Sequence, residues 1–225
     1  ISTGEPERFL QGHSQTIAWL EYRSDGRQIA TGSQDGSIRL WDPATGQEQA
    51  VLQTGGRPTV TYSPDGGHII ASEAGMDHVR LWDLTENRQI AEFGDRAALN
   101  SVYETNASFS PDGRKVALNS GNLVRILELA TGRELVHMGP HPAAVSFVRF
   151  HPDGKRLASV TWRVPQTDVS FPHEIYLWDV ETGQSVATLK GHQARIDALD
   201  FSPNGKLLAS GGDFPDNSVR LWDID

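Results

Sequence analysis

A four-residue block returns along this chain at nearly constant spacing, and that periodicity restricts the fold more than any other feature. Arg39-Leu40-Trp41-Asp42 recurs as Arg80-Leu81-Trp82-Asp83, Tyr176-Leu177-Trp178-Asp179 and Arg220-Leu221-Trp222-Asp223, with a degenerate copy at Arg125-Ile126-Leu127-Glu128. Counting Leu127 as the third, the tryptophan positions lie 41, 45, 51 and 44 residues apart. A second motif interleaves with the first: Tyr22-Arg23-Ser24-Asp25-Gly26, Tyr62-Ser63-Pro64-Asp65-Gly66, Phe109-Ser110-Pro111-Asp112-Gly113, Phe150-His151-Pro152-Asp153-Gly154 and Phe201-Ser202-Pro203-Asn204-Gly205. A third is Gly12-His13 and Gly191-His192, with Pro140-His141 in the same register.

Each motif has a physical reading. Asp-Gly or Asn-Gly between apolar runs signals a tight two-residue hairpin, because such turns need positive φ. The runs alternate polar and apolar, as in Ser37-Ile38-Arg39-Leu40-Trp41, and none shows a helical period. Each repeat is therefore read as four short strands, a to d: strand a ends at the aromatic before the turn, b follows it, c carries Leu-Trp-Asp, and d follows Thr-Gly. Four-stranded sheets at this period are propeller blades, each covering its apolar faces with its neighbours.

Taken together, the Gly-His, Ser-Pro-Asp-Gly and Trp-Asp set resembles the WD-repeat family over the whole chain. The resemblance implies an all-β propeller with five blades in this chain, at about 11–52, 53–93, 94–138, 139–189 and 190–225 plus 1–10. It also implies a hydrogen-bonded tetrad within a blade: His13, Thr31, Asp35 and Trp41 in the first, and His192, Ser210, Asp216 and Trp222 in the fifth. The fourth blade keeps His141, Ser159 and Trp178 without a clear Asp. The second has Trp82, but Gly55-Gly56 replaces Gly-His and Ala71 replaces the hydroxyl. The third has Leu118 and Leu127 instead. Residues 5–10 fit a strand d, and by family habit would pair with strand c near 218–223; otherwise the five blades belong to a larger ring. The Ser-Pro-Asp-Gly-rich style resembles bacterial WD-repeat tails attached to signalling domains.

Loop lengths divide the blade into a constant and a variable side. Strand-a aromatic to strand-b position is nine residues in every repeat, and strand-c Trp position to the end of strand d is eleven in all four visible cases. The d-to-a span, by contrast, takes ten, twelve or sixteen residues, and the b-to-c span runs from nine to nineteen. Binding is usually built on loops held by a rigid scaffold. The longest excursion, 161–174, carries Trp162, Arg163, Phe171 and His173, residue types that include common interface anchors. Arg96 and Phe214 are lesser candidates on the same side.

Composition bounds the chemistry. The 225 residues hold no cysteine, which excludes disulfides, thiolate metal sites and thiol nucleophiles and leans towards a cytoplasmic setting. A net charge of −9 argues against binding nucleic acid phosphates, and no run is long enough for a membrane helix. The opening Ile1-Ser2-Thr3-Gly4, without Met or signal peptide, predicts a piece of a longer protein. His68, His78, His137, His151 and His173 are scattered; no metal, cofactor or catalytic residue is predicted. The leading expectation is a non-catalytic interaction or sensor module of a larger signalling protein, binding a protein or peptide. The alternatives are part of a larger propeller or oligomer, self-associating if the ring is incomplete, and a propeller-fold hydrolase or lyase.

Overall fold

The Ser-Pro-Asp-Gly motifs fold into a wider turn than the two-residue hairpin expected from Asp-Gly. In all five, the glycine N–H donates to the carbonyl three residues earlier, from Gly26 to Arg23 through Gly205 to Ser202. Only the glycine takes positive φ, between 68° and 73°; the preceding Asp or Asn does not. The tight hairpin is ruled out because the carboxylate organises the turn itself. Asp65 Oδ1 accepts the Gly67 N–H at 3.0 Å and the Ser63 hydroxyl, whose oxygen accepts the His68 N–H at 2.9 Å. Asp112 with Ser110, and Asn204 with Ser202, repeat the pattern. The Asp of Trp-Asp has a parallel task at the c–d turn. Asp42 Oδ1 accepts the N–H of Ala44 and Thr45, and Asp179 Oδ1 those of Glu181 and Thr182. These donors hold Asp42, Asp65, Asp112 and Asp179 below the usual carboxylate range.

The computed structural model describes residues 8–73, 78–94, 107–161 and 173–225. Between the turns lie nineteen strands in five antiparallel sheets, with no helix among the described residues. The first sheet is β1 (Ile17–Tyr22), β2 (Ile29–Ser33), β3 (Ser37–Trp41) and β4 (Glu48–Gln53). The second is β5 (Pro58–Tyr62), β6 (His68–Glu73), β7 (His78–Asp83) and β8 (Arg88–Gly94). The third is β9 (Ala107–Phe109), β10 (Lys115–Ser120), β11 (Leu123–Glu128) and β12 (Glu134–Met138). The fourth is β13 (Val145–Phe150), β14 (Arg156–Thr161), β15 (His173–Asp179) and β16 (Ser185–His192). The fifth is β17 (Ile196–Phe201), β18 (Leu207–Gly212) and β19 (Val219–Asp223). Four sheets run in sequence order as meanders of four strands, and the fifth shows three among the described residues. Phe9 and Leu10 lie in no strand, and residues 1–7 fall outside the described residues.

The sheets fall into two compact units, residues 1–74 with 80–92 and residues 75–79 with 93–225. In the first unit, one face of the first sheet (Ala30, Ile38, Leu40, Leu52) packs on one face of the second (Val60, Tyr62, Ile69, Ala71, Trp82). Among the described residues the second unit has two such seams. Ala117, Val124, Ile126 and Met138 of the third sheet meet Val145, Val148, Phe150, Leu157 and Trp178 of the fourth. Ala158, Val160, Ile175 and Leu177 of the fourth meet Ile196, Leu199, Phe201 and Leu208 of the fifth. The register explains the sorting. Ala30 pairs Leu40, while Thr31 and Arg39 pair on the opposite face, so alternate residues feed alternate seams. Gly205 illustrates the fit between turns: a Cβ there would stand 2.6 Å from the His151 ring, whose Nε2 donates to the Gly205 carbonyl at 2.8 Å.

Candidate functional site

A polar network surrounds three of the repeat tryptophans, Trp41, Trp178 and Trp222. In the first sheet β2 places Thr31 opposite β3, and the Trp41 Nε1–H donates to the Thr31 hydroxyl oxygen at 2.8 Å. Thr31 in turn donates to His13 Nε2 at 2.7 Å, and His13 Nδ1–H donates to Asp35 Oδ2 at 2.9 Å, the tautomer following from these partners. Asp35 also accepts the Ser14 N–H and the Ser37 hydroxyl. The fifth sheet repeats the set: Trp222 to Ser210 at 2.8 Å, Ser210 with His192 at 2.7 Å, and His192 with Asp216 at 2.5 Å. Burial pushes the Asp35 pKa up, yet the donors outweigh it and leave the carboxyl well below the usual range. The Ser218 hydroxyl leads the same downward shift at Asp216, against desolvation and with His192 and the Gln193 N–H. All eight tetrad positions read from the sequence are thus brought together as two sets of four.

Two features of these networks were not legible in the motif. The network was expected to stay within a blade, but His192 is the last residue of β16, paired with His173, and so ties the fourth sheet to the fifth. In the fourth sheet Trp178 donates to Ser159 at 2.7 Å and Ser159 meets His141 Nε2 at 2.8 Å. His141 Nδ1–H then donates to the backbone carbonyl of Asn122, in the turn between β10 and β11, at 2.9 Å. Among the described residues a neighbouring sheet's carbonyl stands where the other two sets have a carboxylate. Desolvation holds the His141 pKa below the usual histidine value, against the small upward pull of that carbonyl. In the second sheet, with Ala71 in place of a hydroxyl, the Trp82 Nε1–H is buried without a hydrogen-bond partner, and so is His78 Nε2 at the start of β7. The third sheet fills the same places with buried Leu118 and Leu127.

A hydroxyl, an imidazole and a carboxylate in line have the composition of a nucleophilic triad. Here Thr31, Ser159 and Ser210 are buried, and each oxygen already accepts a tryptophan N–H, so these three present no nucleophile to a substrate. Among the described residues no three His, Asp or Glu side chains gather as a metal site, and no helix is long and apolar enough to cross a membrane.

The partner-binding candidates are only partly placed. Trp162, Arg163, Phe171 and Arg96 lie outside the described residues. His173 opens β15 beside His192, half-buried. Phe214, in the loop between β18 and β19, is 78% exposed, its N–H held by Asp213 Oδ1 at 2.7 Å. The structure therefore places two of the six candidates, one at the start of a strand of the fourth sheet and one in a loop of the fifth.

Comparison with known proteins agrees with this architecture. The family model described as WD domain, G-beta repeat matches residues 4–42, 132–179 and 183–223, together more than half of the chain. Serine-threonine kinase receptor-associated protein of Gallus gallus is 24% identical over 219 residues, covering 96% of this chain and 57% of that protein. Nuclear distribution protein PAC1 of Arthroderma otae is 28% identical over 229 residues, covering 100% and 39%. WD repeat-containing protein 82 of Drosophila melanogaster is 26% identical over 213 residues, covering 90% and 63%. The chain thus spans between about two fifths and two thirds of the length of these relatives. Repeated Trp-Asp strands, buried tetrads and meander sheets converge with the family match: this chain is a member of the WD-repeat family.

Proposed function

We propose that this chain is a non-catalytic interaction module of a larger signalling protein, and that it binds a protein or peptide through the loops joining d to a and b to c. One observation carries the reading: every a–b turn and all four visible c–d turns have one length, while all length variation falls on the other two loop classes. The hydrogen bonds of Asp65, Asp112 and Asp179 give a reason for the constancy, since an inserted residue would break the side-chain-to-backbone geometry. The b–c loops that hold Asp35 and Asp216 make such bonds at two different lengths, so large anchors such as Phe214 are free to stand out from them. The name of the receptor-associated relative fits an association role, and its greater length fits a larger protein around this segment.

The test is selection of a random peptide display library on the 225-residue chain. Substituting Trp162, Phe171 or Phe214 with Ala should weaken selected peptides by about tenfold or more, the usual scale for a buried aromatic anchor. Melting should not change, and Arg27→Ala at a constant turn should leave binding intact. Peptides that lose affinity only on changes at the a–b or c–d turns would overturn the proposal.

A further inference from the structure

Three imidazoles of this chain hold the same place beside a hydroxyl and a tryptophan, and one of them lacks the group that would answer a positive charge. His13 and His192 each have a carboxylate on Nδ1, Asp35 at 2.9 Å and Asp216 at 2.5 Å. His141 has the Asn122 backbone carbonyl there at 2.9 Å. Six residues before the tryptophan, where the first and fifth repeats have Asp35 and Asp216, the fourth has Pro172. The surroundings of His141 offer no substitute. From the fourth sheet, Ser159 bonds Nε2 at 2.8 Å, and the rings of Tyr176 and Trp178 stand 5.1 and 4.9 Å away. Glu174 of β15 is taken by the Tyr176 hydroxyl at 3.1 Å and by Lys190 of β16 at 2.9 Å. From the third sheet come the Asn122 carbonyl and side-chain amide, both uncharged, while Arg125, Glu134 and His137 of that sheet pair among themselves. The 139–144 loop that carries His141 has no other titratable residue. Among the described residues the buried His141 ring forms no ion pair.

We propose that His141 is an acid-sensitive latch between the third and fourth sheets: taking up a proton detaches the 139–144 loop from the β10–β11 turn while the sheets themselves stay folded. The closed latch is a short set of bonds. The His141 N–H donates to the Asn122 carbonyl at 2.9 Å and the Val145 N–H to the Gly121 carbonyl at 2.8 Å, beside the ring's own bond to Asn122. A second proton goes to Nε2, the nitrogen that now accepts from Ser159. The Ser159 oxygen already accepts the Trp178 N–H at 2.7 Å, so its own proton must turn to the carbonyl of Tyr176, its cross-strand partner. That exchange keeps the number of hydrogen bonds, and the charge decides. A buried cation with no anion beside it is strongly unfavourable, and the Tyr176 and Trp178 rings return only a fraction. Desolvation already holds the closed ring below the usual histidine value. An opened loop hands the imidazole to water, where it carries its proton below about pH 6.5. The closed form is therefore favoured at high pH and loses ground as the pH falls. At His13 and His192 a carboxylate stands ready for the charge, so those loops lack the device.

Hydrogen exchange resolved by NMR on the 225-residue chain reads the latch at its own amides. Protection of the His141 and Val145 N–H groups, corrected for the chemical exchange rate, should fall by as much as about tenfold per pH unit below about pH 6.5. The Thr54 N–H is the internal control: it bonds the Gly36 carbonyl at 2.8 Å between the first and second sheets, from a loop without histidine, and its protection should stay level. His141→Gln, neutral throughout, should make protection at residues 141 and 145 independent of pH; His141→Phe serves if the glutamine lowers the melting temperature. Wild-type protection at His141 and Val145 that does not change with pH overturns the proposal. So does a fall that Thr54 shares in step, or one that persists in the neutral variant.

Discussion

Restoring the missing hydroxyl in the second sheet should stabilise the protein. Trp82 Nε1 is buried without a partner, whereas the same nitrogen in Trp41, Trp178 and Trp222 donates to a Thr or Ser oxygen at 2.7–2.8 Å. Ala71 pairs with Val60 as Thr31 pairs with Leu20, so Ala71→Ser sets its oxygen where Thr31 has one. Satisfying a buried donor recovers about 1–3 kcal/mol, and burying the new hydroxyl takes back about half, since its own proton has only a backbone carbonyl to meet. The net expectation is about 1 kcal/mol, or a rise of about 2–4 °C in Tm for a chain of this size. A double-mutant cycle isolates the cause. In a Trp82→Phe background the same Ala71→Ser substitution should destabilise by about 1–2 kcal/mol, because the hydroxyl then lacks the indole donor. Urea unfolding of the four proteins measures the coupling. If Ala71→Ser shifts stability equally in both backgrounds, the indole N–H does not face residue 71 and the account of the second sheet is wrong.

Three further outcomes follow from the networks and turns. Asp35 and Asp216 have folded pKa values below their unfolded ones, so their contribution is complete above about pH 4 and fades as the pH falls through the folded values. Asp35→Asn with Asp216→Asn should flatten the acid limb of a plot of Tm against pH, while lowering Tm at neutral pH. His141 is held below its unfolded pKa, so stability declines as the pH drops below about 6.5, where the unfolded chain takes up the proton first. His141→Phe should remove part of that decline between pH 7.5 and 5, read as the difference from wild type in calorimetry. Gly26 and Gly205 have nearly equal φ, 72° and 73°, but nothing lies within 4 Å of a Cβ at Gly26, whereas His151 would be 2.6 Å from one at Gly205. Gly26→Ala should therefore cost about 1 kcal/mol of left-handed strain and Gly205→Ala distinctly more, by denaturant titration.

The resemblance to the WD-repeat family supplied the members of the two tetrads; the sequence by itself determined the strand order and the five-fold repetition. These depend on local chemistry: an aromatic, a side-chain-capped turn and an alternating strand recur at fixed separations, and neighbouring antiparallel strands must pair in that order. The type of the Asp-Gly turn was misread because the dipeptide alone does not show that the Asp carboxylate and the Ser hydroxyl reach across to the returning backbone. Only the tertiary structure decided which groups meet between sheets. That His141 would turn to the Asn122 carbonyl, that His151 would bond the Gly205 carbonyl, and that Leu221 would stand open while Leu177 is covered all depend on distances across seams between residues far apart in the chain. Leu177-Trp178-Asp179 and Leu221-Trp222-Asp223 are the same three residue types in sequence. Burial is a property of what lies opposite a side chain, and a repeated motif reads identically whether or not a neighbouring sheet is there to cover it.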